Sequence, residues 1–293
     1  MIVSASYKTD IPAFYGEWFR RRLDAGYCKM RNPYSGQGYT VSLKPQDVDA
    51  FVFWTKNAGP FLDTLDEVRR RGFAFAVQYA INGYPRELEW SVTLAERSAG
   101  HMKRIMDSFG PRAAVWRYDT IVYSSITGAD FHRANFERLA GMLEGTTDEV
   151  VASFMQIYKK TRRNMDAASR LFHFSWHDPE IAEKKALLTD LSAIARSRGM
   201  ALTVCTQPEL LIEGVAGEAR CIDAIRLSEV AGRWIGAKMR GVRPGCACYQ
   251  SRDIGEYDTC PHGCVYCYAV TNRAAARQRH LRHDSEGEFL YSE

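Results

Sequence analysis

Apolar residues along the first 205 positions alternate between short continuous runs and stripes spaced three and four apart, and few folds accept that rhythm. The runs are "IVSASYKT", "AFVFWTKN", "FAFAVQYA", "AAVWRYDTIVY", "EVVASFMQIY" and "ALTVC". Between them, Ile11, Phe14, Tyr15, Trp18, Phe19 and Leu23 mark one helical face that stops at Gly26. Phe61, Leu62, Leu65 and Val68 mark a second that stops at Gly72. Met102, Ile105, Met106 and Phe109 precede Gly110-Pro111, and a helix over 131–143 follows Asp130 as its N-cap. Leu187, Leu188, Leu191 and Ile194 make the last stripe. Strands apolar on both sides and separated by helices belong to a parallel sheet covered on both faces. The expected fold is therefore α/β, a (β/α) full or partial TIM-like barrel. From about residue 206 the pattern loosens, dividing the chain into a barrel body over 1–205 and a cysteine-rich segment over 206–293 that completes the same barrel.

The 293 residues are 46% hydrophobic, enough for one large core. The net charge is +4 without a concentrated basic stripe, which suits an anionic small molecule and argues against nucleic acid as a partner. "MIVSASYKTD" has neither a charged leader nor a long apolar run, and no stretch is long enough to span a membrane. A cytoplasmic protein is expected, where thiols stay reduced. The eight cysteines are then metal ligands, catalytic groups or core residues rather than disulfides.

Five of the eight lie between 246 and 267. "CPHGCVYCYA" spaces Cys260, Cys264 and Cys267 by three and then two intervening residues. A zinc knuckle or a redox pair is the alternative reading, but structural zinc takes four closed ligands, commonly in two close pairs. Three thiolates suit a 4Fe–4S cluster with one iron left open. Cys246 and Cys248 follow "RPG", a poor place for two core thiols. Together with Cys205 and Cys221 they match a second, fully ligated 4Fe–4S cluster, with zinc as the alternative. Cys205 taken alone reads as the end of a core strand, and Cys28 has no role beyond packing.

The C-x3-C-x2-C spacing with Tyr266 before the last cysteine resembles the signature of the radical S-adenosylmethionine superfamily. The resemblance implies that Cys260, Cys264 and Cys267 bind the cluster, that its open iron binds S-adenosylmethionine, and that Tyr266 lies beside the adenine. It also implies reductive cleavage to a 5′-deoxyadenosyl radical, with a flavodoxin or ferredoxin as the reducing partner. In that superfamily the motif usually follows the first barrel strand. Here it follows "DIGEYDT", read as a short strand, and precedes "AVTNRAAARQRHLR", read as a helix. The barrel is thus expected to be circularly permuted, with its first strand, loop and helix at the C-terminus. A closer resemblance rests on "TDIPAFYGEWF", "VDAFVFWTKN", "RYD", "CID" and "DIGEYDTCPHGCVYCYA". These segments are similar to the bacterial domain-of-unknown-function family numbered 1848, while "WTKN" and "RYD" also resemble spore photoproduct lyase. Two departures, "SASYK" where the family is more basic and "CTQPE" where an acid usually follows the cysteine, imply a specialised substrate.

Barrel active sites open at the C-terminal ends of the strands. The polar residues there are Ser4, Ser6, Lys8, Thr55, Lys56, Gln78, Arg117, Asp119 and Gln156. Lys56, Arg117 and Asp119 are the candidate catalytic residues. Lys56 suits a carboxylate or phosphate, and Arg117 with Asp119 suits either the cofactor's ribose or methionine part or an internal salt bridge. Ser4, Ser6, Lys8, Gln78 and Tyr266 are the candidate cofactor-binding residues. His173 and His177 have the i, i+4 spacing of a metal pair on a helix, but with no third ligand in reach they read as structural. The expected function is hydrogen abstraction from a small polar substrate of nucleoside or nucleotide type, with sulfur transferred from the second cluster, as paired clusters do in sulfur-inserting relatives. The alternatives are dehydrogenation or rearrangement, a DNA-lesion lyase with the second cluster as electron relay, and a zinc-stabilised binding module.

Overall fold

The computed structural model describes residues 1–32 and 35–292. Eight strands form one parallel sheet. They are β1 (Ile2–Ala5), β2 (Ala50–Thr55), β3 (Ala74–Ala80), β4 (Ala114–Ile121), β5 (Glu149–Phe154), β6 (Ala201–Val204), β7 (Gly217–Glu218) and β8 (Ser251–Asp253). Their order across the sheet is β7-β6-β5-β4-β3-β2-β1-β8. Neighbours in sequence are neighbours in space, except that the last strand lies beside the first, Ile2 opposite Ser251 and Ser4 opposite Asp253. Among the described residues the two edge strands, β7 and β8, do not pair, so the sheet is open rather than a closed barrel.

Nine α-helices accompany the sheet among the described residues: α1 (Ile11–Phe14), α2 (Gly16–Ala25), α3 (Leu62–Arg70), α4 (Ala95–Phe109), α5 (Ala129–Leu143), α6 (Lys159–Phe172), α7 (Ile181–Ser197), α8 (Ala224–Ala231) and α9 (Arg273–Leu281). None is long and apolar enough to cross a membrane. The period of two along each strand decides what each face holds. One face carries Val3, Phe51, Phe53, Phe75, Val77, Trp116, Tyr118, Val150 and Ala152, packed in the main core with Trp18, Leu65, Ile105, Leu139 and Leu191 of the helices. Each large side chain buried there contributes roughly 1.5–3 kcal/mol. The other face carries smaller residues, Ile2, Ala50, Val52, Ala74, Ala76, Val115 and Val151, covered by Ala224 and Leu227 of α8 and by Cys205, Cys221, Ile235 and Cys248. The segment after residue 205 thus fills the inner face.

Several local expectations change. The first helix breaks at Tyr15, which leaves helical geometry and donates its hydroxyl to Thr259 O at 2.6 Å. Helix α5 starts with Gly128 in the cap position; Asp130 sits inside the first turn and pairs with Arg133 at 2.8 Å. His173 caps α6 in left-handed geometry while His177 lies in a two-residue strand, so the two share no helix face. The hairpin of Tyr27–Arg31 and Gly38–Ser42, which buries Cys28, was not foreseen.

"DIGEYDT" is not a strand beyond its first residue, because Asp253 turns the chain. Its carboxylate accepts from Ser4 Oγ (2.8 Å), Ser6 Oγ (2.7 Å), Tyr7 N (3.1 Å) and Gly255 N (2.9 Å), with Lys8 Nζ at 3.4 Å. At Gly255 a Cβ would lie 2.0 Å from Ser6 Oγ, so only glycine permits the approach. Asp253→Ala leaves a buried cation and four donors without their acceptor. It should destabilise the protein by about 3–5 kcal/mol, read as a lower denaturation midpoint in urea; an unchanged midpoint would show the seam to be incidental.

Candidate functional site

Two groups of cysteines lie where the parallel strands end. The first is the loop that follows β8. Asp10, just ahead of "IP", caps α1 by accepting from Ala13 N at 2.9 Å. Its second oxygen accepts from Lys56 N and from His262 Nε2, both at 2.7 Å. One carboxylate thereby ties α1, the end of β2 and the cysteine loop together. Gly263 turns the loop at φ +77°. Cys260, Cys264 and Cys267 are near enough to feel one another's charge, and burial pushes all three thiols up, with Lys56 opposing at Cys264 and Cys267. A lysine held beside thiols favours their ionised form, which is what a metal takes.

Lys56 is largely enclosed, its side chain 13% exposed, rather than presented on a surface loop. Its ammonium donates to Asn82 Oδ1 at 2.6 Å and Glu89 Oε1 at 2.7 Å. Burial works against the charge, but Glu89, Cys264 and Asp119 outweigh it and hold the Lys56 pKa up. Glu89 also accepts from the Tyr266 hydroxyl, and burial, then Glu89, raises Tyr266 far above its ordinary value. Lys56 is thus already neutralised by a protein carboxylate. Glu89 in "RELEW" carried no sequence signal, because nothing local distinguishes it from Glu87.

The second group is a row of contacts. Cys205 follows β6 directly, and its sulfur lies 3.4 Å from that of Cys221. Cys221 in turn interacts with Cys248, and Cys248 with Cys246. The Cys248 hydrogen bond, against the effect of burial, brings Cys246 down to about 6, the one thiol of the four below its ordinary value. Gly241 makes room for this loop, since a Cβ there would meet Cys246 O at 2.1 Å. Among the described residues no three His, Cys, Asp or Glu side chains are arranged to hold a single metal ion.

Between the two groups stand the remaining candidates. Arg117, 5% exposed, donates from Nε to Asp119 Oδ1 at 3.0 Å and from Nη1 to Gln78 Oε1 and Cys221 Sγ, each at 2.9 Å. Its guanidinium lies 4.9 Å from the Trp54 ring centre. Burial opposes the charge, but Asp119, Cys221 and Cys205 hold the Arg117 pKa well above its ordinary value. Gln78 Nε2 donates to Cys221 O at 2.9 Å. Ser4, Ser6 and Lys8 are all engaged by Asp253, and Ser4 also accepts from Trp54 Nε1 at 3.1 Å. Thr55 Oγ1 accepts from Asn57 N at 2.9 Å, and Gln156 lies at the rim beside Arg243. Arg117 and Asp119 therefore form an internal ion pair, and the serines hold the seam between β1 and β8. Asp10, Glu89, Trp54 and Asp253 are the site residues the sequence reading missed. Of these only Asp10 had a signal, an acid ahead of Ile-Pro at a helix start.

No curated protein matches the chain. The family described as Domain of unknown function (DUF1848) matches residues 2–269, from β1 through the three-cysteine loop. With its seam strands, its Asp10 cap and its cysteine loop all inside that span, the chain belongs to the DUF1848 family.

Proposed function

We propose that the chain is a radical S-adenosylmethionine enzyme that takes a hydrogen atom from a small polar substrate of nucleoside or nucleotide type and inserts sulfur into it. One observation carries this reading: the three-cysteine loop and the four-cysteine row share one end of the sheet, with Lys56, Asp119 and Arg117 between them. The donor sets suit iron–sulfur chemistry. The seven thiols of the two sets are free, and each set has a cation beside it to balance thiolate charge, Lys56 at the three-cysteine loop and Arg117 at Cys221.

In this reading Cys260, Cys264 and Cys267 hold a 4Fe–4S cluster, and β8, its loop and α9 are the first unit of a permuted barrel. When bound and given one electron by a flavodoxin or ferredoxin, the cluster with S-adenosylmethionine supplies methionine and a 5′-deoxyadenosyl radical that removes hydrogen from the substrate. The chain's own part is to position and to exclude water. Asp10 and Tyr15 fix the loop, the Glu89 bond fixes the Tyr266 ring, and Val52, Ala76 and Val115 form a buried apolar layer on the same face of the sheet as Gln78 and Arg117. Cys205, Cys221, Cys246 and Cys248 hold the second cluster, the sulfur source.

Anaerobically loaded, reduced protein should release 5′-deoxyadenosine, and changing Cys260, Cys264 or Cys267 to Ala should stop it. Release from the triple variant would overturn the assignment of the cluster to these cysteines, and no release from the loaded parent would leave a zinc-stabilised binding module.

The sulfur step has a separate test. With the second cluster carrying 34S-labelled sulfide, product mass should rise by the label, at about one product per second cluster, since a consumed sulfide is spent once. Unlabelled product over many turnovers would instead make that cluster an electron relay.

A further inference from the structure

Arg117 is built as though its target were Cys221. Its guanidinium is a fork with five donors. A purely structural ion pair would spend them on Asp119 and on backbone carbonyls. Here one edge is held by Asp119 while Nη1 is turned away, to Gln78 Oε1 and Cys221 Sγ at 2.9 Å each. Gln78, on the neighbouring strand, completes the grip by donating to the carbonyl of the same cysteine at 2.9 Å. Cys221 is thus held at its sulfur by one strand and at its backbone by the next. It is also the inner member of the row, 3.4 Å from Cys205 on one side and in contact with Cys248 on the other.

Resting on the reading of that row as a metal site, we propose that Arg117 is a positioning residue for it: its guanidinium fixes the Cys221 sulfur as a ligand and balances the charge the thiolates bring. Both a cluster and a zinc ion take thiolates, so the role is common to either. Each buried thiolate is costly without a compensating charge, and Arg117 is the cation that touches a sulfur of the row. A charged donor on a ligand sulfur also draws off negative charge, which favours the reduced state of a redox-active cluster. Arg117, Gln78 and Asp119, three residues that the sequence assigned to substrate or cofactor, then serve the second metal site. Asp119 orients the fork, and Trp54 covers its face.

The test uses the full chain with Cys260, Cys264 and Cys267 changed to Ala, so that only the row can hold metal. It is loaded anaerobically with iron and sulfide, or separately with zinc, and competed against a chelator. Arg117→Gln should weaken retention by about 10–100-fold, the usual effect of losing an outer-sphere partner. Arg117→Lys should fall between, because it keeps the charge and loses the fork. The midpoint potential of the iron-loaded form should become more negative in Arg117→Gln, a change that a merely structural role would not produce. If Arg117→Gln does not fold, the Lys variant carries the same comparison. Retention and potential equal to the parent in either variant overturn the inference and leave the metal site standing. A parent chain that binds neither metal overturns both.

Discussion

One carboxylate ties the last strand of the sheet to the first. Asp253 ends β8 and takes hydrogen bonds from Ser4, Ser6, Tyr7 and Gly255. Without that junction the eighth strand is three residues long and has little else to define its register against β1. The cysteine loop follows within seven residues, so its position depends on this seam. The cost of burying a carboxylate is met by four donors and by Lys8, which is why the junction tolerates almost no solvent.

The inner face of the sheet sorts by height. Its lower positions are small and apolar and accept α8. The next positions up are Ser4, Trp54, Gln78 and Arg117, and above them stand Lys56 and Asp119. A period of two along each strand produces this order, and the register staggers it across the sheet, with Ser4 opposite Val52, Gln78 opposite Val115 and Ala80 opposite Arg117. The polar layer consumes its own charges: Arg117 with Asp119, Lys56 with Glu89, Lys8 with Asp253. The thiols lie against these pairs, Cys221 on the Arg117 fork and Cys264 beside Lys56.

The family assignment and the fold support each other only so far. The DUF1848 match spans β1 to the cysteine loop, the region whose geometry the seam and Asp10 control. Function is read from the site and not from the fold.

The sequence by itself determined most of the sheet. "AFVFWT", "FAFAVQYA" and "EVVASF" became strands because long runs of apolar, β-branched and aromatic residues can be buried on both faces. Gly26 ended its helix because it alone adopts the left-handed cap easily. The two groups of cysteines were singled out from spacing and redox context, and the structure brings both to the strand ends. What the sequence could not carry was partnership across long separations. Lys56 reads as a binder of a substrate carboxylate or phosphate until Glu89, 33 residues on, is placed against it. Asp253 reads as part of a strand until Ser4 and Ser6, nearly 250 residues earlier, meet its two oxygens. Arg117 reads as a ligand binder until Cys221 arrives on its fork. Local pattern fixes which faces are apolar, but the choice among partners for a buried charge is made only when distant strands close on one another, and that choice belongs to the tertiary structure.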